Sequence, residues 1–306
     1  MSKAGTSPGG SGLLVIGDVV TDVVARHRAP LAHGTDTAAD IRILPGGAGA
    51  NVACWAGRWG CGDVRLMARV GADDAAWHGE RLREAGVRPR LVPDADVPTA
   101  TVIALVDATA ERTFLTDSGA VLRLCPDDWS PELLEGVTHL HLSGYLLFAE
   151  TSRRLALLAL ESATELGIGV SLDPASAGFI AERGVERMRA AYEGADVLFP
   201  NVDEARLLTG RSDPADAAAE LSRRVPLAVV TLGARGALVA EAGVVTARVP
   251  PVAAEAVDST GAGDAFTGAF LAARLAGADA ASAAAEGCRA GAEAVTVIGG
   301  RPSAAG

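Results

Sequence analysis

Near the end of the chain, a glycine-rich turn is followed at once by a carboxylate and an apolar stretch. Residues 258–266 read DSTGAGDAF, and residues 265–276 favour a helix. Backbone N–H groups at the start of a helix stabilise anionic oxygens, and a neighbouring carboxylate can take a proton from an attacking hydroxyl. The segment predicts a phosphoryl-transfer site in which the amides of Gly261, Ala262 and Gly263 face the phosphoryl oxygens and Asp264 is the base.

The turn also has an ordinary interpretation, because Asp is common in the first turn of any helix. Other phosphate-binding motifs are absent from the sequence. It contains no Gly-x-x-x-x-Gly-Lys-[Ser/Thr], its only lysine is Lys3, and it has neither the His-Arg-Asp nor the Asp-Phe-Gly motif of protein kinases. A nucleotide site in this chain must therefore depend on backbone amides, arginine and a metal ion.

The composition limits the possible partners and the cellular location. The chain has 306 residues and a net charge of −11, which argues against nonspecific binding to nucleic acid or to anionic membranes. Its four cysteines form no Cys-x-x-Cys pair, so we expect free thiols in a reducing cytoplasm. No apolar run approaches the roughly 18 residues of a membrane span. Residues 1–12 predict a disordered tail rather than a signal peptide.

Strands and helices that alternate along the chain must position the glycine turn. Strands are predicted at residues 13–16, 66–70, 139–143, 169–173, 197–199 and 227–231, with a hairpin of residues 99–106 and 112–116. Helices are predicted at residues 51–59, 73–85, 151–166, 185–192, 203–208, 214–223, 265–276 and 280–294. This alternation favours an α/β domain of residues 13–303, with a mostly parallel central sheet covered by helices on both faces.

Two β-rich segments do not fit this alternation. They lie at about residues 23–45 and 97–120. We expect them to form a small separate sheet that lies over the ends of the central strands.

Five motifs together resemble the ribokinase or PfkB family of carbohydrate and nucleoside kinases. They are residues 17–22 (GDVVTD), 45–53 (PGGAGANVA), 200–204 (PNVDE), 231–236 (TLGARG) and 258–266. The motifs occur in the family's order and spacing between residues 13 and 303. The chain is therefore identified as a member of this family, which implies a ribokinase-like three-layer sandwich with a small β-sheet lid.

The resemblance implies an ATP- and Mg²⁺-dependent kinase that phosphorylates the hydroxymethyl group of a small sugar or nucleoside. Asp264 is then the general base for in-line attack on the γ-phosphate. Asn201 and Glu204 would organise Mg²⁺ through water, because Mg²⁺ keeps part of its hydration shell. The nucleotide would be bordered by Asn201, Thr231, Gly233 and Gly236. A capped helix and a hairpin turn are the ordinary interpretations of these motifs.

The N-terminal motifs bind the phosphoryl acceptor in the family. By this resemblance, the acceptor site contains Asp22, Gly46, Gly47 and Asn51. The carboxylate of Asp22 would accept hydrogen bonds from vicinal hydroxyls, and Asn51 can both donate to and accept from a hydroxyl. The glycines would let the backbone touch the sugar. The alternative for Asp22 and Asn51 is a solvated carboxylate and a helix cap, and Asp18 is expected only to orient its loop.

Relatives also lead us to expect a lid that contributes to a homodimer contact, and a possible K⁺ site near the glycine turn. The K⁺ ligands would be backbone oxygens of Asp258, Thr260, Ala294 and Gly299 and the hydroxyl of Ser303. Backbone ligands place few demands on sequence, so K⁺ dependence is left open.

Three departures from the family pattern concern the acceptor. Ala48 and Val20 replace the lysine and asparagine common in ribokinases, which argues against ribose. Residues 173–177 (DPASA) lack the Asn and Arg of the Asp-Pro-Asn-x-Arg motif that many fructokinase-like and ketodeoxygluconate-kinase-like members carry, so an acidic sugar would lose a partner. A neutral sugar or a nucleoside such as pseudouridine is favoured. Tyr145 is either a core residue or a ring that stacks on the acceptor.

Two other functional classes remain as alternatives. A sugar- or nucleotide-binding regulator that has lost activity would be expected to lose the base, whereas this chain retains Asp264. A Rossmann dehydrogenase is disfavoured, because Gly17 and Asp18 are not followed by Gly-x-x-Gly at the start of a helix. The sequence therefore predicts a kinase and does not identify its acceptor.

Overall fold

The first strand of the protein, β1 (Gly12–Ile16), is wholly buried, and its side chains alternate between two apolar layers. In the computed structural model, which describes residues 12–108 and 112–303, Leu14 and Ile16 pack in one layer. Leu13 and Val15 pack in the other. A strand that is apolar on both faces is typical of a parallel sheet covered by helices on both sides.

Most strands belong to one large sheet. Numbered along the chain, the strands are β1, β2 (Val20–His27), β3 (Ala39–Gly46), β4 (Asp63–Gly71), β5 (Val87–Asp94), β6 (Ala100–Val106), β7 (Arg112–Asp117), β8 (Val137–Ser143), β9 (Gly169–Asp173), β10 (Val197–Leu198), β11 (Leu227–Thr231), β12 (Ala237–Glu241) and β13 (Val244–Val249). The large sheet has nine strands in the order β13-β12-β11-β10-β9-β8-β1-β4-β5. Neighbours from β5 to β11 are parallel, and β12 and β13 add an antiparallel hairpin at one edge.

Helices cover both faces of this sheet. They are α1 (Ala48–Arg58), α2 (Ala75–Glu84), α3 (Glu150–Glu165), α4 (Ala177–Arg183), α5 (Val185–Tyr192), α6 (Val202–Thr209), α7 (Pro214–Leu221), α8 (Ala262–Leu275) and α9 (Ala280–Ala294). Helices α1, α2, α8 and α9 pack on the layer of Leu13 and Val15, and α3 to α7 pack on the opposite layer. The expected three-layer α/β sandwich is confirmed.

Helices α1 and α8 approach each other closely at Gly268. A Cβ atom at this position would lie 2.5 Å from the carbonyl oxygen of Val52 on α1. Because glycine has no side chain, the two helix backbones can pack directly together. This contact brings the first turns of both helices to the same end of the sheet, where Asn51 and Asp264 meet.

A smaller sheet stands apart from the large one, as the β-rich segments predict. Its order is β3-β2-β6-β7, with β2 and β6 parallel and the outer pairs antiparallel. Val20, Ala100, Val102 and Phe114 on this sheet line the main cavity of the protein. That it acts as a lid stays a prediction.

The structure also contains elements that the sequence patterns do not predict: β5, the short helix α4 and the β12–β13 hairpin. Strand β5 contains Pro89 and Pro93, which interrupt a strand pattern. They are tolerated because β5 is the edge strand of the sheet and pairs only with β4.

The cysteines and the lengths of the helices bear on the remaining expectations from the sequence. The chain's four cysteines are all thiols. None of the helices in the described ranges is long and apolar enough to cross a membrane. Residues 1–11 of the predicted tail and residues 109–111 of the predicted hairpin loop lie outside the described residues.

Candidate active site

A cavity of about 540 Å³ opens at the carboxyl ends of the parallel strands. One wall is formed by residues that end or follow these strands: Asp18 after β1, Tyr145 after β8, Asp173 on β9, Asn201 after β10 and Thr231 on β11. The opposite wall comes from the smaller sheet. Ligands of open parallel sheets bind in the crevice beyond the carboxyl ends of the strands, so this cavity is the candidate active site.

The predicted base, Asp264, lies in the first turn of α8 and lines the cavity. Its Oδ2 atom accepts a hydrogen bond of 2.7 Å from Nδ2 of Asn51 on α1. The pKa of Asp264 is raised to about 8, chiefly by burial and also by the charges of Asp173, Asp18 and Asp22, against the hydrogen bond from Asn51, which lowers it. The group is a stronger base than an ordinary aspartate once it is deprotonated.

The structure thus gives Asn51 a role beyond the predicted acceptor contact. Its amide nitrogen orients Asp264, while its Oδ1 atom is buried with no hydrogen-bond partner among the described residues. Asn51 also lines the cavity. Local sequence patterns could not reveal this pair, because the two residues are 213 positions apart.

The glycine turn before α8 is packed against the C-terminal loop. Gly261 has a φ of 74°, in the left-handed region that favours glycine. A Cβ atom on Gly261 would collide with the backbone of Gly300. By contrast, a Cβ atom on Gly263 would meet no atom within 4 Å, so the turn is open toward the cavity. The first N–H groups of a helix have no partner inside it, and here they begin at Ala262.

The carboxylate of Asp258 fixes this turn. Its Oδ1 atom accepts hydrogen bonds from the Thr260 amide at 3.0 Å and the Thr260 hydroxyl at 2.7 Å. Its Oδ2 atom accepts one from the Gly299 amide at 3.0 Å. Of the predicted K⁺ ligands, Asp258, Thr260 and Gly299 are therefore neighbours. Ala294 ends α9, and Ser303 is exposed.

Asp18 holds the start of α1, as expected for an orienting residue. Its carboxylate accepts hydrogen bonds from the amides of Ala48 at 2.7 Å and Gly49 at 3.1 Å, and from the Ser143 hydroxyl at 2.9 Å. These bonds join β1, β8 and α1 beneath the cavity. Gly47 precedes the helix with a φ of 98°.

Asp22, on β2, and Gly46, on β3, are in direct contact where the smaller sheet meets the cavity. A Cβ atom on Gly46 would overlap the carboxylate of Asp22. Asp22 and Gly47 both line the cavity. The pKa of Asp22 is raised to about 7, chiefly by burial and also by the charge of Asp18, against the charge of Arg301, which lowers it. The four predicted acceptor residues therefore lie together.

Asn201 and Glu204 form a capping box at the start of α6. The Oδ1 atom of Asn201 accepts hydrogen bonds from the amides of Asp203 and Glu204, and Asn201 donates to both carboxylate oxygens of Glu204. Burial raises the pKa of Glu204 to about 7. The geometry fits both interpretations of this motif. Asn201 and Glu204 cap α6, as in an ordinary helix, and they also line the cavity, where a metal ion could be held.

The predicted nucleotide residues divide into two groups. Thr231 lines the cavity beside Asn201, to which it is paired by an isolated β-bridge. Gly233 and Gly236 lie beyond the lining residues, in the turn that leads from β11 to β12. The turn therefore joins two antiparallel strands, which is the hairpin turn named above as the ordinary interpretation of this motif.

Asp173 is a site residue to which the sequence assigned no role. It ends β9 and lines the cavity. Its pKa is raised to about 8, chiefly by burial and also by the charge of Glu204. The signal that could have identified it is its place directly after a buried strand, where parallel sheets present polar side chains to ligands.

Three aromatic side chains, Tyr145, Phe148 and Phe179, form an aromatic wall on one side of the cavity. Phe148 and Phe179 are stacked with ring centroids 5.0 Å apart, and Tyr145 meets both edge-on at 5.9 and 6.1 Å. Tyr145 is therefore part of the cavity surface and not only of the core. Phe148 and Phe179 were missed because they lie on separate short helical segments.

Comparisons with known proteins agree with this geometry. Residues 11–305 match the pfkB family of carbohydrate kinases. A fructokinase from Klebsiella pneumoniae is 32% identical over 270 residues, which cover 84% of this chain and 82% of that protein.

Two solved structures share the fold. A protein from E. coli described as a ribokinase II, solved with ATP and Mg²⁺, is 26% identical with a TM-score of 0.83, covering 95% of this chain and 94% of that one. Aminoimidazole riboside kinase from Salmonella enterica, solved with aminoimidazole riboside and an ATP analogue, is 26% identical with a TM-score of 0.78, covering 95% of each. The chain belongs to the PfkB family and is an ATP-dependent kinase of a sugar or nucleoside.

Proposed function

We propose that Asp264 is the general base that activates a hydroxymethyl group of the acceptor. The observation that carries this proposal is the position of its carboxylate. It faces the cavity at the N-terminus of α8, beside the open glycine turn, and Asn51 fixes its orientation. Its raised pKa favours proton transfer from a hydroxyl near neutral pH.

In this reaction, the acceptor oxygen forms a bond to the γ-phosphorus of ATP as its proton passes to Asp264. The bond between that phosphorus and the bridging oxygen of ADP breaks, and ADP leaves. The amides of Gly261, Ala262 and Gly263 donate hydrogen bonds to the phosphoryl oxygens while negative charge develops there. Removing one such donor typically costs about 3 kcal/mol of transition-state stabilisation.

Asp22 binds two hydroxyl groups of the acceptor on the opposite side of the cavity. In its ionised form the carboxylate accepts one hydroxyl on each oxygen, and these charge-assisted hydrogen bonds are stronger than those to the protonated acid. Gly46 and Gly47 keep the neighbouring backbone free of side chains, so a polyol can approach Asp22 directly. This arrangement directs the hydroxymethyl group of the acceptor toward Asp264.

ATP and Mg²⁺ are implied for kinases of this family, and the residues of the cavity fit this metal. In the described ranges, no group of three His, Cys, Asp or Glu side chains is arranged to hold a metal ion. Mg²⁺ suits such a site because it retains several waters and binds nucleotide phosphates. Asn201 and Glu204 would hold it through water, and the ion would neutralise charge on the transferred phosphate.

A nucleoside acceptor is the second candidate, and the aromatic wall favours it. Bases stack on aromatic side chains with about 1–3 kcal/mol per base. Residues 175 and 177 are alanines, so neither offers a polar side chain to a sugar acid; Ser176 and Arg183 are the polar side chains of this region that line the cavity. Aminoimidazole riboside, bound by one of the similar structures, is itself a nucleoside-like acceptor.

A K⁺ ion bound behind the glycine turn is a further part of the proposal. The support is the network of Asp258, whose carboxylate accepts hydrogen bonds from Thr260 and Gly299 and so holds these two predicted ligand segments next to each other. A cation there would strengthen the positive potential of the amides that face phosphate.

A homodimer through the smaller sheet is also proposed. Val23, Ile43, Ile103 and Leu115 are cross-strand partners and form an apolar row across all four strands. Asp22 and Val102 line the cavity, so the row lies on the opposite, outward face, since side chains alternate along a strand. Ile43 and Leu115 are well exposed. An exposed apolar row at the centre of a sheet is typical of a protein contact.

Replacing Asp264 by Asn should lower kcat by about 10²–10⁴-fold, because the base is lost while its shape is kept. Affinity for ATP, measured by calorimetry, should change little. Asp279→Asn is the matched control, since Asp279 caps α9 far from the cavity and Asn also caps helices well. Turnover of Asp264→Asn at the rate of the unmodified enzyme would refute the assignment.

Release of ADP with a panel of D-fructose, D-ribose, adenosine, uridine and pseudouridine tests the acceptor class. If the aromatic wall binds a base, a nucleoside should give the highest kcat/KM. Phe179→Ala should then lower kcat/KM for that nucleoside by about tenfold or more, with little change for the free sugars. Equal losses for sugars and nucleosides would rule out stacking on the wall.

Removal of K⁺ tests the cation site. Replacing K⁺ by tetramethylammonium at constant ionic strength should lower kcat, and K⁺ should restore it in a saturable manner. Equal turnover in both salts would exclude a functional K⁺ site.

Sedimentation equilibrium tests the dimer. The unmodified protein should sediment with twice the mass of the chain, and Ile43→Lys should sediment as a monomer. Val244→Lys, at an exposed position on β13 outside the row, is the matched control and should leave the mass unchanged. A monomeric unmodified protein would contradict the proposal.

A further inference from the structure

Arg301 lies in the C-terminal loop, which contacts both halves of the active site. The backbone before it is fixed at two points. The amide of Gly299 donates to Asp258 Oδ2 at 3.0 Å, and the carbonyl of Gly300 accepts a hydrogen bond of 2.8 Å from the indole of buried Trp55. The side chain of Arg301 is thereby directed toward the acceptor end, where its Nη2 atom donates to the carbonyl of Gly46 at 3.1 Å.

The guanidinium group of Arg301 is buried with few partners. Its Nε and Nη1 atoms are buried and have no hydrogen-bond partner in residues 12–108 and 112–303, and no carboxylate there is in ion-pair contact with it. Burial lowers the pKa of Arg301, and the nearby groups Cys54 and Asp22 raise it. A buried cation without a direct counterion is costly, and such groups are found where a charge is needed for function.

We propose that Arg301 is a positioning residue for acceptor binding, whose guanidinium supports the Gly46 carbonyl from behind and supplies the positive charge that faces Asp22. The proposal rests on the assignment of Asp22 to the acceptor. Gly46 is the link, because it touches the carboxylate of Asp22 on one side and bonds Arg301 through its carbonyl.

The charges around Asp22 explain why an arginine is useful there. Burial, together with the carboxylates of Asp18 and Asp258, raises the pKa of Asp22, which is about 7 with Arg301 in place. Arg301 is the group that lowers it. His78 lies near Arg301, but burial lowers its pKa to about 4, so it carries no charge at neutral pH.

These charges determine how acceptor binding should change with pH when the positive charge of Arg301 is removed. Acceptor hydroxyls bind more strongly to the ionised form of Asp22 than to the protonated form. Loss of the positive charge would raise the pKa of Asp22, weaken acceptor binding at neutral pH and allow it to recover at higher pH. A purely structural Arg301 would change stability without moving this pH dependence.

The test uses the full chain in an Asp264→Asn background, which removes titration of the base. The ligand is whichever of the five panel compounds the unmodified enzyme phosphorylates fastest. Its Kd is measured by calorimetry without ATP from pH 5.5 to 9. Arg301→Gln retains hydrogen-bond donors but loses the charge, whereas Arg301→Lys retains the charge. Arg58→Gln, at an exposed arginine on α1, is the matched control.

We expect Arg301→Gln to move the midpoint of acceptor binding upward by about one pH unit and to raise Kd about tenfold below that midpoint. Arg301→Lys and Arg58→Gln should keep the midpoint of the background protein. An unchanged midpoint in Arg301→Gln, or an equal shift in Arg301→Lys, would overturn the proposal. If Arg301→Gln does not fold, as judged by thermal unfolding, Arg301→Met, which also loses the charge, replaces it in the same titration, and an unchanged midpoint would again overturn the proposal.

Asp22→Asn in the same background separates the two proposals. If Asp22→Asn binds the compound as tightly as the background protein, the assignment of Asp22 is wrong. If Asp22→Asn weakens binding but Arg301→Gln keeps the midpoint, the role of Arg301 alone is wrong.

Discussion

The candidate active site depends on carboxyl groups that are buried close together at the carboxyl ends of the parallel strands. Burial raises the pKa of Asp264 and Asp173 to about 8 and those of Asp22 and Glu204 to about 7. Because the pKa of Asp264 is higher in the folded than in the unfolded state, unfolding releases a proton between about pH 4 and 8. The folded state therefore loses stability as pH rises through this window. A cluster that lowers the stability of the folded state is compatible with function, because a kinase needs an ionisable base and its ligands need hydrogen-bond acceptors.

Asp264, the proposed base, is positioned by packing that lies outside the cavity. Gly268 lets α1 and α8 touch, and this contact brings Asn51 within hydrogen-bond distance of Asp264. Gly300 packs against both Gly261 and Asn51, so the C-terminal loop supports the glycine turn and the partner of the base together. A side chain at Gly268 or Gly300 would displace Asn51 or the glycine turn, although neither glycine lines the cavity. The geometry of the site therefore depends on the contact between α1 and α8 as well as on the residues that line the cavity.

Local patterns predict much of this protein, and the limits of that prediction have physical causes. Strand β1, the glycine turn and the alternation of strands and helices are visible because each depends on neighbouring residues. Strand β5 could not be predicted from the sequence, because its prolines interrupt the strand pattern and are tolerated only at the edge of a sheet. The Asn51–Asp264 bond and the contact of Arg301 with Gly46 join residues 213 and 255 positions apart. Such pairs are set by tertiary packing, on which a local pattern carries no information.

The two ends of the cavity are built differently, and this explains why the reaction is easier to identify than the acceptor. At the phosphoryl end the proposed donors are backbone amides in a turn where Gly261 admits no side chain, so the sequence there is narrowly constrained. At the proposed acceptor end the surface is made of side chains from separate elements, among them Asp22 on β2, Asn51 on α1 and Phe179 on α4. Ala175, in the loop after β9, shows the contrast with the glycine turn: it has a φ of 76°, which costs a non-glycine residue about 1 kcal/mol. The hydrogen bond from its amide to Asp173 at 2.7 Å offsets this strain, so the shape of this loop is held by a side chain and not by a glycine.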